Sequence, residues 1–220
     1  MTRLVRWWRN SQQAHKRTFF KSGLNLEGPV QDATIKIAHR LLGPLTGRRI
    51  LDLGCAGGKA SVEFARGGAT VLAVDSSAEA VEATRALAER GDVRFEVHHA
   101  DLAELAFLRA DSIDAAYSDA AFAEVPNLAR VFRQVHRVLR PGSPLVMLMP
   151  HPFSALSALS SDSTPSFDDV VRPTILSFTE VFTELVRAGF RIDTLLEPEL
   201  PATDGRDLGC VVLRARKEGV

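Results

Sequence analysis

An apolar run that closes on a carboxylate and passes without a break into a glycine-rich turn, ILDLGCAGGKAS (Ile50 to Ser61), constrains this chain more than any other stretch. The run has the length of a buried strand, RRILDLG, and Lys59 to Arg66 reads as a helix stopped by Gly67 and Gly68. ATVLAVD, Ala69 to Asp75, is a second continuous apolar run of strand length. Strand, helix, strand in about thirty residues is the unit from which parallel sheets are built, because parallel neighbours need a crossover between them.

The unit then repeats. Ala78 to Glu89 has helical spacing and ends at Gly91, and VRFEVHHAD alternates as a third strand. SIDAAY (Ser112 to Tyr117) is short and mostly apolar, Val125 to Leu139 reads as a helix, and PLVMLM follows the breaker Arg140-Pro141-Gly142-Ser143-Pro144 as a buried strand. Phe178 to Ala188 reads as a helix capped by Gly189. FRIDTLLEP and GCVVLRARK have no helix between them, so they are expected to pair as an antiparallel hairpin. Upstream, a helical pattern from Val30 to Leu42 opens with Pro29 and stops at Gly43-Pro44. The expected fold is therefore α/β and doubly wound, a Rossmann-like, mostly parallel seven-stranded sheet with a C-terminal antiparallel hairpin and helices on both faces.

Length and charge narrow the function classes. A chain of 220 residues with 45% hydrophobic side chains buries one substantial core, so one domain is expected over residues 29–220. Twenty-seven basic residues against twenty-seven acids leave no global field for a polyanion, and nucleic acid is not expected as a partner. Two cysteines, Cys55 and Cys210, make no disulfide framework and fit a reducing cytoplasm. No apolar run reaches the roughly 20 residues of a membrane span. Residues 1–28 stand apart: up to Leu26 they hold Arg3, Arg6, Arg9, Lys16, Arg17 and Lys21 and no acid. They lack the apolar core and cleavage signature of a targeting peptide. They are expected to form an N-terminal helical lid segment that closes Trp7, Trp8, Phe19 and Phe20 over a ligand, the alternative being a helix that packs those aromatics onto the domain. The Ser-, Asp- and Pro-rich stretch 151–174 is expected to be a loop or lid insertion.

In open α/β sheets ligands bind beyond the carboxyl ends of the strands, where strand order reverses, and the turn after the first strand is that place. A dinucleotide site needs G-x-G-x-x-G so that backbone can approach a pyrophosphate at a helix N-terminus. This turn offers Gly54, Gly57 and Gly58 behind Asp52 instead. A carboxylate there repels a pyrophosphate and attracts an ammonium or sulfonium.

LDLGCAGGKAS resembles motif I of the class I S-adenosylmethionine-dependent methyltransferases, and RVLRPGSPLV and LVRAGFRIDTLLEP resemble later landmarks of their small-molecule, ubiquinone/menaquinone methyltransferase-like branch. The overlap runs in order from Ile50 to Lys217, with Ala56 in place of a middle glycine and Ser143-Pro144 in place of the second glycine of RPGG. The resemblance implies S-adenosyl-L-methionine as cofactor. Asp52 with Gly54, Cys55, Ala56 and Gly58 then wraps its methionine half, and Asp75 with Ser76 holds the ribose hydroxyls. Asp101 meets the adenine amino group, Leu102 the ring, and Ser118 at the end of strand 4 is a further contact.

Methyl transfer is an in-line displacement that depends on orientation and exclusion of water. A hydroxyl or amine acceptor can still need a base. His39 and His136 fall in helices and His15 in the N-terminal segment, leaving His98, His99 and His151. His151, directly after strand 5 at the active edge, is the first candidate and Asp119 the second. Cys55 reads as a small turn residue, with no positive partner to activate it. YSDAAF lacks the Asn/Asp-Pro-Pro-aromatic motif of methyltransferases acting on planar nitrogens. The expected acceptor is an O or N atom of a small metabolite; a macromolecular methyltransferase and a non-catalytic cofactor-binding protein are the alternatives.

Overall fold

The computed structural model describes residues 29–119, 121–151, 178–200 and 209–219. In chain order these form α1 (Pro29–Leu42), β1 (Arg49–Leu53), α2 (Lys59–Arg66), β2 (Thr70–Asp75), α3 (Ala78–Arg90), β3 (Glu96–His99), β4 (Ala115–Asp119), a 3-10 turn (Ala121–Glu124), α4 (Leu128–Val138), β5 (Pro144–Pro150), α5 (Phe178–Arg187), β6 (Phe190–Leu196) and β7 (Cys210–Lys217). Among the described residues seven strands make one sheet in the order β3-β2-β1-β4-β5-β7-β6. Neighbours from β3 through β5 are parallel, and β7 is antiparallel to both β5 and β6. The expected C-terminal hairpin is present, with β7 slotted between β5 and β6 so that the exposed edge falls to β6.

Side-chain alternation splits the core into two layers. Ile50, Val71, Tyr117, Val146, Leu148 and Val212 point to α1 and α2, where Ile35, Ala38, Leu42 and Phe64 meet them. Leu51, Leu53, Val74, Met147 and Leu213 point the other way, onto Val131, Phe132 and Val135 of α4 and Val181 and Leu185 of α5. The near-continuous burial of β1, β2 and β4 follows from this two-sided cover.

Three boundaries differ from expectation, two of them for a polar reason. The helix expected from Val125 begins only at Leu128, because the Asn127 side chain accepts the Arg130 N–H at 3.0 Å and caps it; residues 125–127 link it to the 3-10 turn. The fourth strand runs Ala115–Asp119 rather than Ser112 to Tyr117. Ser112 and Ile113 donate to the Val138 carbonyl, and the Asp114 carboxylate accepts the Arg49 N–H at 2.8 Å, so pairing with β1 starts later. The third strand shrinks to Glu96–His99, leaving Asp101 two residues beyond its end.

Candidate functional site

Strand order reverses between β1 and β4, and the glycine turn sits at that point. Gly54 has φ +73°, and a Cβ on it would lie 2.1 Å from Cβ of Ala121, so the turn after β1 touches the turn after β4 backbone to side chain. Gly58, at φ +80°, opens α2; a Cβ there would meet Thr84 Cγ2 at 2.7 Å and Cα at 2.9 Å, which fixes α2 tightly against α3. Between them Ala56 takes φ +47° despite its Cβ. Two bonds hold it: its N–H donates to Asp75 Oδ2 at 2.9 Å, and its carbonyl accepts from Thr84 Oγ1 at 2.9 Å. This position is where the resemblance expects glycine, and the left-handed backbone is the reason.

Asp75 ends β2 with 9% exposure. Besides Ala56 it accepts the Ser77 N–H on Oδ1 at 2.9 Å, so each carboxylate oxygen has one backbone donor and retains acceptor capacity. Ser77 in turn caps α3 through the Ala80 N–H, and the exposed Ser76 presents its carbonyl 3.0 Å from His99 Nε2. Asp101 accepts the Ala103 N–H at 2.8 Å in a turn of its own. Leu102, buried, reaches the Gly54 position.

Asp52 is 1% exposed, and its Oδ2 accepts from Ser61 Oγ at 2.5 Å. Burial pushes its carboxyl up to about 7; the Ser61 hydrogen bond works against this, and the charges of Asp119 and Asp75 add to it. Asp119 is raised to about 6 by burial. Opposite Asp52 in the β1–β4 register stands Tyr117, with Asp119 two positions on and hence on the same face. The Tyr117 phenol is held well above its ordinary range by burial, then by Asp119, Asp52 and Cys210. Burial, then Asp52, pushes the Cys55 thiol up to about 12, and Sγ lies 3.4 Å from Thr84 Oγ1. A thiol so placed stays protonated and is no nucleophile. Cys210 rises to about 11 through burial and Asp119.

Three consecutive side chains at the end of β4 carry buried polar atoms without a hydrogen-bond partner among the described residues: Tyr117 Oη, Ser118 Oγ and Asp119 Oδ1. By strand alternation Ser118 faces the α4 layer and the other two face α1. The concentration is unusual, since buried polar groups are nearly always paired.

His151 follows β5 directly; its N–H donates to the Gly209 carbonyl at 2.9 Å, extending the β5–β7 ladder by one rung. Its Nε2 lies 3.6 Å from Glu197 Oε1, and its side chain is 18% exposed.

The glycine turn, Asp75 and Thr84 are thus joined in one hydrogen-bonded unit, and the charges of Asp119 and Asp75 both bear on Asp52. Asp101 lies outside that unit, and His151 stands three positions past Leu148, the β5 partner of Asp119. Sequence reasoning passed over Ser61 as the partner of Asp52, and it placed Tyr117 at the end of strand 4 beside the cofactor without a role. Ser61 carried a readable signal, one polar position within the first turn of an otherwise apolar helix face. The segments expected to cover the site, 1–28 and 151–174, lie outside the described residues apart from His151.

Residues 50–142 match the family model described as a methyltransferase domain. A ubiquinone biosynthesis O-methyltransferase of Xanthomonas oryzae pv. oryzae (strain PXO99A) is 33% identical over 103 residues, 47% of this chain and 43% of that protein. The 27-O-demethylrifamycin SV methyltransferase of Amycolatopsis mediterranei (strain S699) is 32% identical over 133 residues, 56% of this chain and 48% of the relative. The chain therefore spans less than half the length of these curated relatives. Among solved structures, an S-adenosylmethionine dependent methyltransferase from Mesorhizobium loti superposes with TM-score 0.69 at 27% identity, covering 87% of this chain and all of the other.

Proposed function

We propose, from the premise that the chain carries a class I methyltransferase domain, that it binds S-adenosyl-L-methionine along the carboxyl edge of β1, β2 and β4 and methylates a small metabolite. The observation that carries this reading is the run of unpaired buried polar atoms on Tyr117, Ser118 and Asp119 at the end of β4, with Tyr117 directly across from Asp52. A buried polar group without a partner costs about 1–3 kcal/mol, so a ligand that completes these groups recovers that cost on binding.

The donor set suits this cofactor. Its ammonium and sulfonium are positive, and Asp52 and Asp119 are carboxyls whose ionisation lies at about 7 and 6, where a cation tips them to the charged form. Vicinal hydroxyls match the spare acceptor capacity of the two Asp75 oxygens. Asp101 and Leu102 take the base. When bound, the cofactor supplies a methyl carbon that is open to displacement from sulfur.

The chain's own residues then orient and deprotonate. Gly54, pressed against Ala121, and Gly58, pressed against Thr84, keep the turn close and rigid, which sets the reacting axis. Asp119, at about 6, is ionised at neutral pH yet basic enough to take the acceptor proton on the unpaired Oδ1. His151 is the alternative base, reached from β5. Both curated relatives are named for oxygen acceptors, which favours a hydroxyl over an amine here.

Calorimetry tests the first half of this reading: S-adenosylmethionine and its demethylated product should bind, and NAD should bind much more weakly. A metabolite extract incubated with methyl-labelled cofactor tests the second half, label being expected in a small molecule. NAD binding as tight as that of the cofactor refutes the assignment. Label confined to RNA or protein refutes the small-molecule acceptor, and binding without any turnover refutes catalysis.

A further inference from the structure

At the opposite, amino edge of the parallel strands lies a groove of about 430 Å³ that the methyl-transfer reading does not use. It is bounded by the end of α1 (Arg40 to Pro44), Arg48 ahead of β1, the turn Pro141 to Pro144 ahead of β5, and Arg214 and Arg216 of β7. Four guanidinium groups line it and no carboxylate does.

Part of this charge has a structural duty. Arg48 closes α1 by donating from Nη1 to the Leu42 and Pro44 carbonyls at 2.7 and 3.0 Å, and from Nη2 to the Asp114 carbonyl. Asp193 binds Arg214 Nε and Arg216 Nε at 2.7 Å each, while Arg214 Nη1 reaches the Leu41 carbonyl and Arg216 Nη1 the Gly142 carbonyl. These bonds use fewer than half of the five N–H groups on each of Arg214 and Arg216. The exposed Arg40 side chain makes no hydrogen bond or ion pair among the described residues. The nearby Asp114 carboxylate is turned away to Arg140 and the Arg49 N–H. One acid, Asp193, therefore touches two of the four cations, Arg214 and Arg216, and offsets one of the four charges, in a chain whose formal charge sums to zero. Helix capping alone needs one guanidinium.

We propose that this groove binds a small ligand carrying two or more phosphate groups. Planar guanidinium forks bind phosphate oxygens in pairs, and Arg rather than Lys serves where that geometry is used. The volume lies within the roughly 300–1,000 Å³ of small-molecule sites and exceeds what one phosphate fills, and four lining cations with one acid bound to two of them leave an excess of positive charge that matches a ligand of several negative charges. Because the groove opens at the edge away from the glycine turn, its ligand and the cofactor do not compete. The inference does not depend on the methyl-transfer reading.

The probe is pyrophosphate, titrated into the full chain by calorimetry. Binding is expected at low ionic strength and should weaken on raising salt to about 0.15 M, as exposed charge pairs are screened. Saturating S-adenosylmethionine should leave it unchanged. Arg40→Glu, an exposed substitution in the last turn of α1, should weaken binding by at least about tenfold, since it reverses one of the four charges. Lys36→Glu, exposed on the same helix one turn away and outside the groove, makes the same charge change and should leave binding within about twofold. Absence of binding, an Arg40→Glu protein that binds like wild type, equal loss in Lys36→Glu, or displacement by the cofactor each overturns the proposal.

Discussion

Tyr117→Phe separates what stabilises this fold from what serves its ligand. The substitution removes one oxygen and leaves the ring, whose edge-on contact with Phe64 (centroids 5.2 Å apart, 88° between planes) is unaffected. That oxygen is buried, stands across from Asp52, and has no partner among the described residues. Its desolvation therefore opposes folding by about 1–3 kcal/mol with no bond to offset it, and deleting both the donor and the need for a partner returns that amount. For a chain of this size each kcal/mol moves the melting temperature by roughly 2–4 °C. The ligand-free variant is thus expected to melt several degrees above wild type, an unusual sign for a substitution in a fully buried core. With ligand the sign reverses. The bond the hydroxyl completes on binding is worth about 0.5–1.5 kcal/mol net, so affinity or turnover should fall by roughly three- to tenfold. Differential scanning calorimetry without and with the demethylated cofactor, together with turnover, reads both effects. A melting temperature equal to or below wild type means the hydroxyl is already satisfied; a rise with no loss of binding or turnover places it outside the site.

The paired carboxyls set a pH dependence. Asp52 and Asp119 ionise at about 7 and 6, so a cationic ligand must displace protons below those values: cofactor affinity should climb as pH rises from about 5 to 7 and level off above, and Asp119→Asn should flatten the lower part of the climb in a calorimetric pH series. Asp75→Ala should weaken cofactor binding by one to two powers of ten, about the 1.5–3 kcal/mol of charge-assisted bonds, while unchanged affinity would make Asp75 only the anchor of Ala56. Gly54→Ala, at φ +73° and with its Cβ 2.1 Å from Ala121 Cβ, should destabilise by at least about 2 kcal/mol in urea unfolding and abolish cofactor binding by calorimetry; a variant that folds and binds normally would show that the β1 and β4 turns need not touch.

Legibility in the sequence followed the range of the interaction that decides each feature. Lys59 to Arg66 could be read as a helix, and Gly54 and Asp75 as its ligand-facing neighbours, because spacing and residue type within one βαβ unit determine them. The β4 end was harder. SIDAAY is apolar enough to be a strand from Ser112, and what delays pairing to Ala115 is the Asp114 carboxylate on the Arg49 N–H, 65 residues away in sequence. Shifting the strand by those residues carries Ser118 and Asp119 inside the sheet instead of beyond it, and inside the sheet their polar atoms become buried and unpaired. The order β5-β7-β6 was likewise out of reach, since antiparallel pairing of β6 with β7 is local while the docking of β7 on β5 is not. That docking matters to the site. It sets Cys210 opposite Pro150 at the end of β5, within electrostatic reach of Asp119, the carboxyl proposed as the base. Burial within the assembled sheet is what lifts Asp119 from an ordinary strand-end acid toward neutrality, and so a local motif supplies the ligand contacts while long-range packing tunes the group that would move the proton.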